Sequence, residues 1–235
     1  MSSLNGVESV DELMRSLPPI PLKRADYISA DCHIIIEQKS LDSDPSNKIQ
    51  EYADKLMEER GIVLFGQMTT DRLFEGQDDR EKIKKRIFDI VTKNIRSIVA
   101  YADKQTRDTK LIFKVPKAAG ILVILNETSY TLDPQIIAHR AAHALREGEN
   151  QGRLRYPHNQ IVILLQEAHT VEQTGDQRKL LQLILRGPST VSYPGLYECA
   201  ERFLTAWARY NGMPFSSKAV SEMPERYRPT GEYGG

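Results

Sequence analysis

Three residues near the start of the chain have the types and spacing that metal-assisted chemistry requires. Glu37 and Lys39 end an apolar run of three isoleucines at 34–36, and Asp26 precedes that run. Side chains of a strand alternate between its two faces, so Glu37 and Lys39 project from the same face. Carboxylate oxygens bind hard cations such as Mg²⁺, and a neighbouring lysine can act on a water or a phosphate. The pattern therefore indicates hydrolysis of a phosphodiester.

Asp26 comes close to Glu37 if the chain between them folds as a β-hairpin. A two-residue loop at Asp31-Cys32 would pair residue 29 with 34, 28 with 35, 27 with 36 and 26 with 37. The side chains of Asp26 and Glu37 would then share one face, about 5 Å apart. A slip of one residue would turn Asp26 to the opposite face, so the pairing register decides whether the site forms.

An aspartate, a hairpin, an apolar strand and then Glu-x-Lys resemble the motif of the PD-(D/E)xK nuclease superfamily. Restriction endonucleases and many repair and defence nucleases belong to this superfamily. The resemblance covers residues 26–39, and the order of helices and strands that follows is compatible with it. Ala25 stands where the family motif has its proline.

The resemblance implies both a fold and a set of site residues. The fold is a restriction-endonuclease-like core, in which helices flank a mixed central sheet. Asp26 and Glu37 would bind Mg²⁺ or Mn²⁺, with the main-chain carbonyl of Gln38 as a further ligand, and Lys39 would assist catalysis. The expected activity is that of an endonuclease, with DNA as the favoured substrate ahead of RNA.

Two alternatives remain open at this stage. The hairpin end could simply emerge into solvent with a salt bridge between its charges, or the chain could be a non-catalytic scaffold or binding subunit of a larger assembly. A second Asp-x-Lys sequence, Asp108-Thr109-Lys110, precedes an apolar run instead of ending one and has no upstream hairpin partner. The first motif is therefore the stronger candidate.

Apolar segments that alternate with helical patterns predict an α/β domain whose sheet is covered on both faces. Strands are expected at 62–68, 120–127 and 160–167, and helices at about 10–16, 45–60, 79–104, 134–148, 171–186 and 196–210. We expect a single domain over residues 1–212. Its core would span about 20–170, a helical extension about 171–212, and a disordered tail 213–235.

Composition sets broader limits on the partners and the location of the protein. The 235 residues carry 32 basic and 32 acidic side chains, so any nucleic-acid surface must be local. No apolar run is long enough to cross a bilayer, and the N-terminal sequence lacks the pattern of a secretory signal. Two cysteines, Cys32 and Cys199, offer no disulfide framework, which favours a cytoplasmic protein. If duplex DNA is the substrate, a homodimer or larger complex is expected, because two antiparallel strands need two sites.

Overall fold

The computed structural model describes residues 6–16, 21–31, 33–42, 44–61, 80–130, 132–174 and 177–215. Six strands form one mixed sheet in sequential order: β1 (Val7–Ser9), β2 (Tyr27–Ser29), β3 (Ile34–Ser40), β4 (Ala119–Asn126), β5 (Ile161–Thr174) and β6 (Gln177–Arg186). Strands β3, β4 and β5 run parallel, and the other neighbouring pairs are antiparallel. The predicted α/β class with a mixed sheet flanked by helices is confirmed.

Five α-helices are described: α1 (Val10–Met14), α2 (Ser46–Glu59), α3 (Arg80–Ile112), α4 (Pro134–Arg146) and α5 (Leu196–Tyr210). Helix α3 lies on the connection from β3 to β4, and α4 on the connection from β4 to β5. Parallel neighbours require such crossovers, which have one handedness. Two crossovers that advance in the same direction along the sheet therefore place their helices on the same face.

The two faces of the sheet bury different sets of side chains. On the front face, which α3 and α4 cover, the core includes Leu122 and Ile124 of β4 and Val162 and Leu164 of β5. On the rear face, which α5 covers, it includes the alternate residues Ile121, Val123, Ile161, Ile163 and Leu165. This double burial explains why β4 and the first half of β5 are apolar without alternation.

The prediction of a helix at 171–186, and of a helical extension from about 171, is wrong. Residues 171–174 form the end of β5 and residues 177–186 form β6, and the two strands pair up to Thr174 and Gln177. The apolar sequence at 180–185 fits a helical repeat, but it also suits a strand covered on both sides: Leu183 packs in front and Ile184 behind. Residues 175 and 176 are Gly-Asp, a dipeptide typical of two-residue hairpins. The sheet therefore continues past residue 170, and α5 is the described α-helix in the range predicted to be a helical extension.

Other predicted boundaries agree with the structure to within a few residues, with one exception. Helix α3 continues to Ile112, beyond the predicted end near 104, because polar side chains in its last turns are buried against neighbouring segments. The strand predicted at 62–68 and residues 216–235 of the predicted tail lie outside the described residues. In the described part of the chain, no helix is both long enough and apolar enough to cross a membrane.

Candidate functional site

The hairpin that carries the motif has the predicted register. Tyr27 pairs with Ile36, and Ile28 pairs with Ile35. Ile28 and Ile35 are buried together against α1, which fixes the register because a slip of one residue would expose them. At the turn, the Asp31 carboxylate accepts a hydrogen bond from the main-chain N–H of His33 at 3.1 Å.

Asp26 lies immediately before β2 and is held by two hydrogen bonds. Its carbonyl accepts from the N–H of Val10 at 2.9 Å. Its carboxylate oxygen Oδ2 accepts from the N–H of Gln38 at 2.7 Å. In a strand the N–H and C=O of one residue leave on the same side, so the Gln38 carbonyl also points toward Asp26. The structure thus brings Asp26, Glu37 and Gln38 together.

Glu37 is a buried carboxylate with one oxygen unsatisfied. It lies beside Leu122 of β4 in the sheet register and is 0% exposed. Oxygen Oε1 forms an ion pair with the ammonium of Lys39, whereas Oε2 has no hydrogen-bond partner. Burial raises the pKa of Glu37 to about 7; the hydrogen bond from Lys39 opposes this rise and the charge of Asp26 adds to it.

Because of this pKa, we expect Glu37→Gln to stabilise the metal-free protein at pH 8 but not at pH 4. A group whose pKa is higher in the folded state stabilises the fold below its unfolded pKa, and this contribution is lost as the pH rises through the folded pKa. The rise from 4.5 to about 7 corresponds to roughly 3 kcal/mol. Denaturant unfolding in EDTA at both pH values measures the difference.

The matched control for this prediction is Glu58→Gln, which changes an exposed glutamate on α2. It should leave the free energy of unfolding unchanged at either pH, because an exposed carboxylate is solvated in both states. If Glu37→Gln instead destabilises the protein at pH 8, the ion pair with Lys39 contributes more than burial of the carboxylate costs.

Lys39 stands between Glu37 and an open cavity. Its side chain is 29% exposed, and the cavity, of 330 Å³, is also lined by Lys23, Ile98, Tyr101 and Gln105. No pattern in the sequence indicates that Lys23 or Gln105 lies here. Helical periodicity predicts that Tyr101 lies on the apolar face of α3, yet 56% of this residue is exposed.

Ala25, at the position where the PD-(D/E)xK motif has a proline, has a structural role in this chain. Ala25 is buried, and its N–H donates to Oγ1 of Thr109 on α3 at 2.8 Å. A proline has no N–H and would leave the Thr109 oxygen without this donor. The hydrogen bond ties the residue before Asp26 to α3.

The donor set around Glu37 fits a divalent cation that keeps several waters. Within the described ranges, no group of three or more His, Cys, Asp or Glu side chains could hold a metal ion. Two carboxylates, from Asp26 and Glu37, and the Gln38 carbonyl supply hard oxygen donors, and Mg²⁺ is commonly held by one or two carboxylates plus water. The unsatisfied Oε2 of Glu37 is an oxygen for which such an ion would supply the missing partner.

A second group of buried polar side chains joins α3 to the start of β5. Asp103 accepts from the N–H of His158 at 2.7 Å, and Nζ of Lys110 lies 3.4 Å from Nδ1 of His158. Burial raises the pKa of Asp103 to about 6 and lowers that of His158 to about 4. Lys110 belongs to the second Asp-x-Lys sequence, which lies on α3, and Asp108 of that sequence pairs with Arg107.

No protein-family model, curated protein or solved structure matches this chain. The likeness to the PD-(D/E)xK superfamily consequently depends on the motif residues and on the hairpin that holds them.

Proposed function

We propose that this chain is a metal-dependent nuclease that hydrolyses phosphodiester bonds, with DNA as the favoured substrate. The observation that carries the proposal is the buried carboxylate of Glu37. It has one unsatisfied oxygen, it lies beside Asp26, and Lys39 separates it from an open cavity. A buried carboxylate without full satisfaction costs free energy, and a carboxylate whose pKa is strongly shifted by burial beside a cavity is a candidate for a functional site.

In this proposal Asp26, Glu37 and the Gln38 carbonyl hold Mg²⁺ or Mn²⁺. When bound, such an ion lowers the pKa of a water and neutralises charge on a phosphate. The protein contributes the fixed position of the carboxylates: Asp26 accepts from the N–H of Gln38, and Glu37 is paired with the ammonium of Lys39. Preset ligands reduce the reorganisation that ion binding would otherwise require.

Lys39 contributes a cation at the boundary between the carboxylates and the cavity. Its ammonium is paired with Glu37 on one side and is partly open to solvent on the other. A phosphate in the cavity would meet this ammonium, whose charge would stabilise the additional negative charge of the transition state. The same ammonium could orient the attacking water through a hydrogen bond.

A non-catalytic role is the second candidate, and one observation favours it. The ion pair with Lys39 already compensates much of the Glu37 charge without any ion. A scaffold or binding protein could keep this arrangement only to anchor the hairpin end against α3.

An activity assay separates the two candidates. Purified protein is incubated with plasmid, single-stranded DNA and RNA in Mg²⁺, Mn²⁺ or excess EDTA. We expect cleavage of at least the DNA substrates with either ion and none in EDTA, because the carboxylates need the ion to act on a phosphate. Absence of cleavage in every condition, together with absence of Mn²⁺ binding by calorimetry, would favour the scaffold.

A further inference from the structure

We infer that the cavity beside Lys39 binds an unpaired nucleotide of a single strand, with its base against Tyr101 and its phosphates at Lys23 and Lys39. The nature of the occupant rests on the proposed nuclease function. The two binding roles rest on the side chains that line the cavity.

Tyr101 and Lys23 form a pair suited to a base and a phosphate. Nζ of Lys23 lies 5.4 Å from the centroid of the Tyr101 ring, within the range of a cation–π contact. The aromatic side chain is nonetheless 56% exposed, so packing does not account for its presence at this position. Aromatic rings beside cations are the usual means by which proteins bind single strands, since every base has a face that can stack.

Lys23 and Tyr101 are held in place by neighbouring residues, one on α3 and one in the segment before β2. Nε2 of Gln105 donates to the carbonyl of Arg24 at 2.8 Å, which ties the residue after Lys23 to the helix turn next to Tyr101. The guanidinium of Arg24 in turn pairs with Asp11 of α1 at 2.6 Å. Lys23 and Tyr101 therefore project from backbone that is fixed at both points.

The size and shape of the cavity favour an unpaired nucleotide over duplex. A volume of 330 Å³ lies at the lower end of the range of about 300–1,000 Å³ for small-molecule sites. Bases in a duplex are stacked on each other, so none of their faces is available to a tyrosine ring. An unstacked base next to the scissile phosphate would reach Tyr101 while its phosphates lie near both lysines.

Fluorescence anisotropy with a labelled single-stranded oligonucleotide in Ca²⁺ tests this inference, with a duplex of the same sequence for comparison. We expect tighter binding of the single strand by the wild type. Tyr101→Ala should weaken it about 5- to 100-fold, as for loss of one stacked base, and Tyr101→Phe should retain most of the affinity. Lys23→Ala should weaken binding and reduce its dependence on salt.

The controls are Tyr210→Ala and Lys104→Ala, which change an exposed tyrosine on α5 and an exposed lysine on α3. Both should bind like the wild type. Equal affinity of Tyr101→Ala and wild type for the single strand overturns the inference, as does preferential binding of duplex or failure of the wild type to bind single strands. If Tyr101→Ala weakens binding but the wild type cuts nothing in Mg²⁺ or Mn²⁺, the nuclease proposal fails and the binding site stands.

Discussion

Asp26→Asn and Glu37→Gln should each slow Mg²⁺-dependent cleavage by roughly a thousandfold or more. Each removes one negative ligand of the proposed ion, whose stabilisation of transition-state charge is worth several kcal/mol. Single-turnover cleavage rates measure the loss, and calorimetry with Mn²⁺ measures the accompanying loss of ion affinity. Glu58→Gln on α2 serves as the control with the same chemical change at an exposed position.

The amide replacements are preferable to alanine because of the hydrogen bonds that Asp26 makes. Asp26→Ala would leave the N–H of Gln38 without an acceptor, at a cost of about 1–3 kcal/mol, whereas an asparagine oxygen can still accept it. If Asp26→Asn loses activity while its thermal unfolding is unchanged, the loss is therefore due to removal of the negative charge of Asp26. If both amide variants cut at the wild-type rate, these carboxylates have no part in catalysis.

Lys39→Ala should turn over about 100- to 1,000-fold more slowly, while it should weaken single-strand binding in Ca²⁺ only about as much as Lys23→Ala does. The Lys39 ammonium lies at the cavity edge, where it would meet the negative charge that builds up on the phosphate in the transition state. Removal of one group that stabilises such charge typically slows the reaction about 100- to 1,000-fold. Cleavage kinetics in Mg²⁺ and anisotropy in Ca²⁺ separate rate from affinity. Mn²⁺ affinity is measured alongside, because Glu37 loses its ion-pair partner in this variant.

Lys39→Arg should fail to restore the rate, although it keeps the positive charge. A guanidinium stays protonated and presents a planar fork that cannot take the place of a compact ammonium beside Glu37. Lys104→Ala on the exposed side of α3 is the matched control and should cut normally. A wild-type rate in Lys39→Ala would make the lysine a structural partner of Glu37 and nothing more.

The hairpin and its charged residues could be predicted because local sequence determines them. The alternation that buries Ile28 and Ile35 sets the register, and the register sets which residues lie beside Glu37. The burial of Glu37 itself could not be predicted, since it depends on α3, whose position over β3 is a matter of tertiary packing. The same holds for Tyr101, which reaches Lys23 only through that packing.

The error at 171–186 has a different origin. The apolar residues at 180–185 satisfy the period of a helix and also the requirement of a strand covered on both sides. What distinguishes the two is the partner strand: β6 exists because β5 extends to Thr174 and pairs with it. The strand partners of residues 180–185 lie at 162–170, too far along the chain for a local pattern to show them. Gly175-Asp176, between the two segments, is nevertheless a turn signal.

The placement of α3 and α4 on the same face has a consequence for the nascent chain. Everything up to Arg186 can assemble the sheet and cover its front, but Ile121, Val123, Ile161 and Ile163 on the rear await α5, the last helix described. During synthesis from the N-terminus, this apolar surface stays exposed to solvent until Leu196–Tyr210 has emerged from the ribosome. A chain cut short before Leu196 should therefore collect in inclusion bodies or on chaperones instead of accumulating as folded protein.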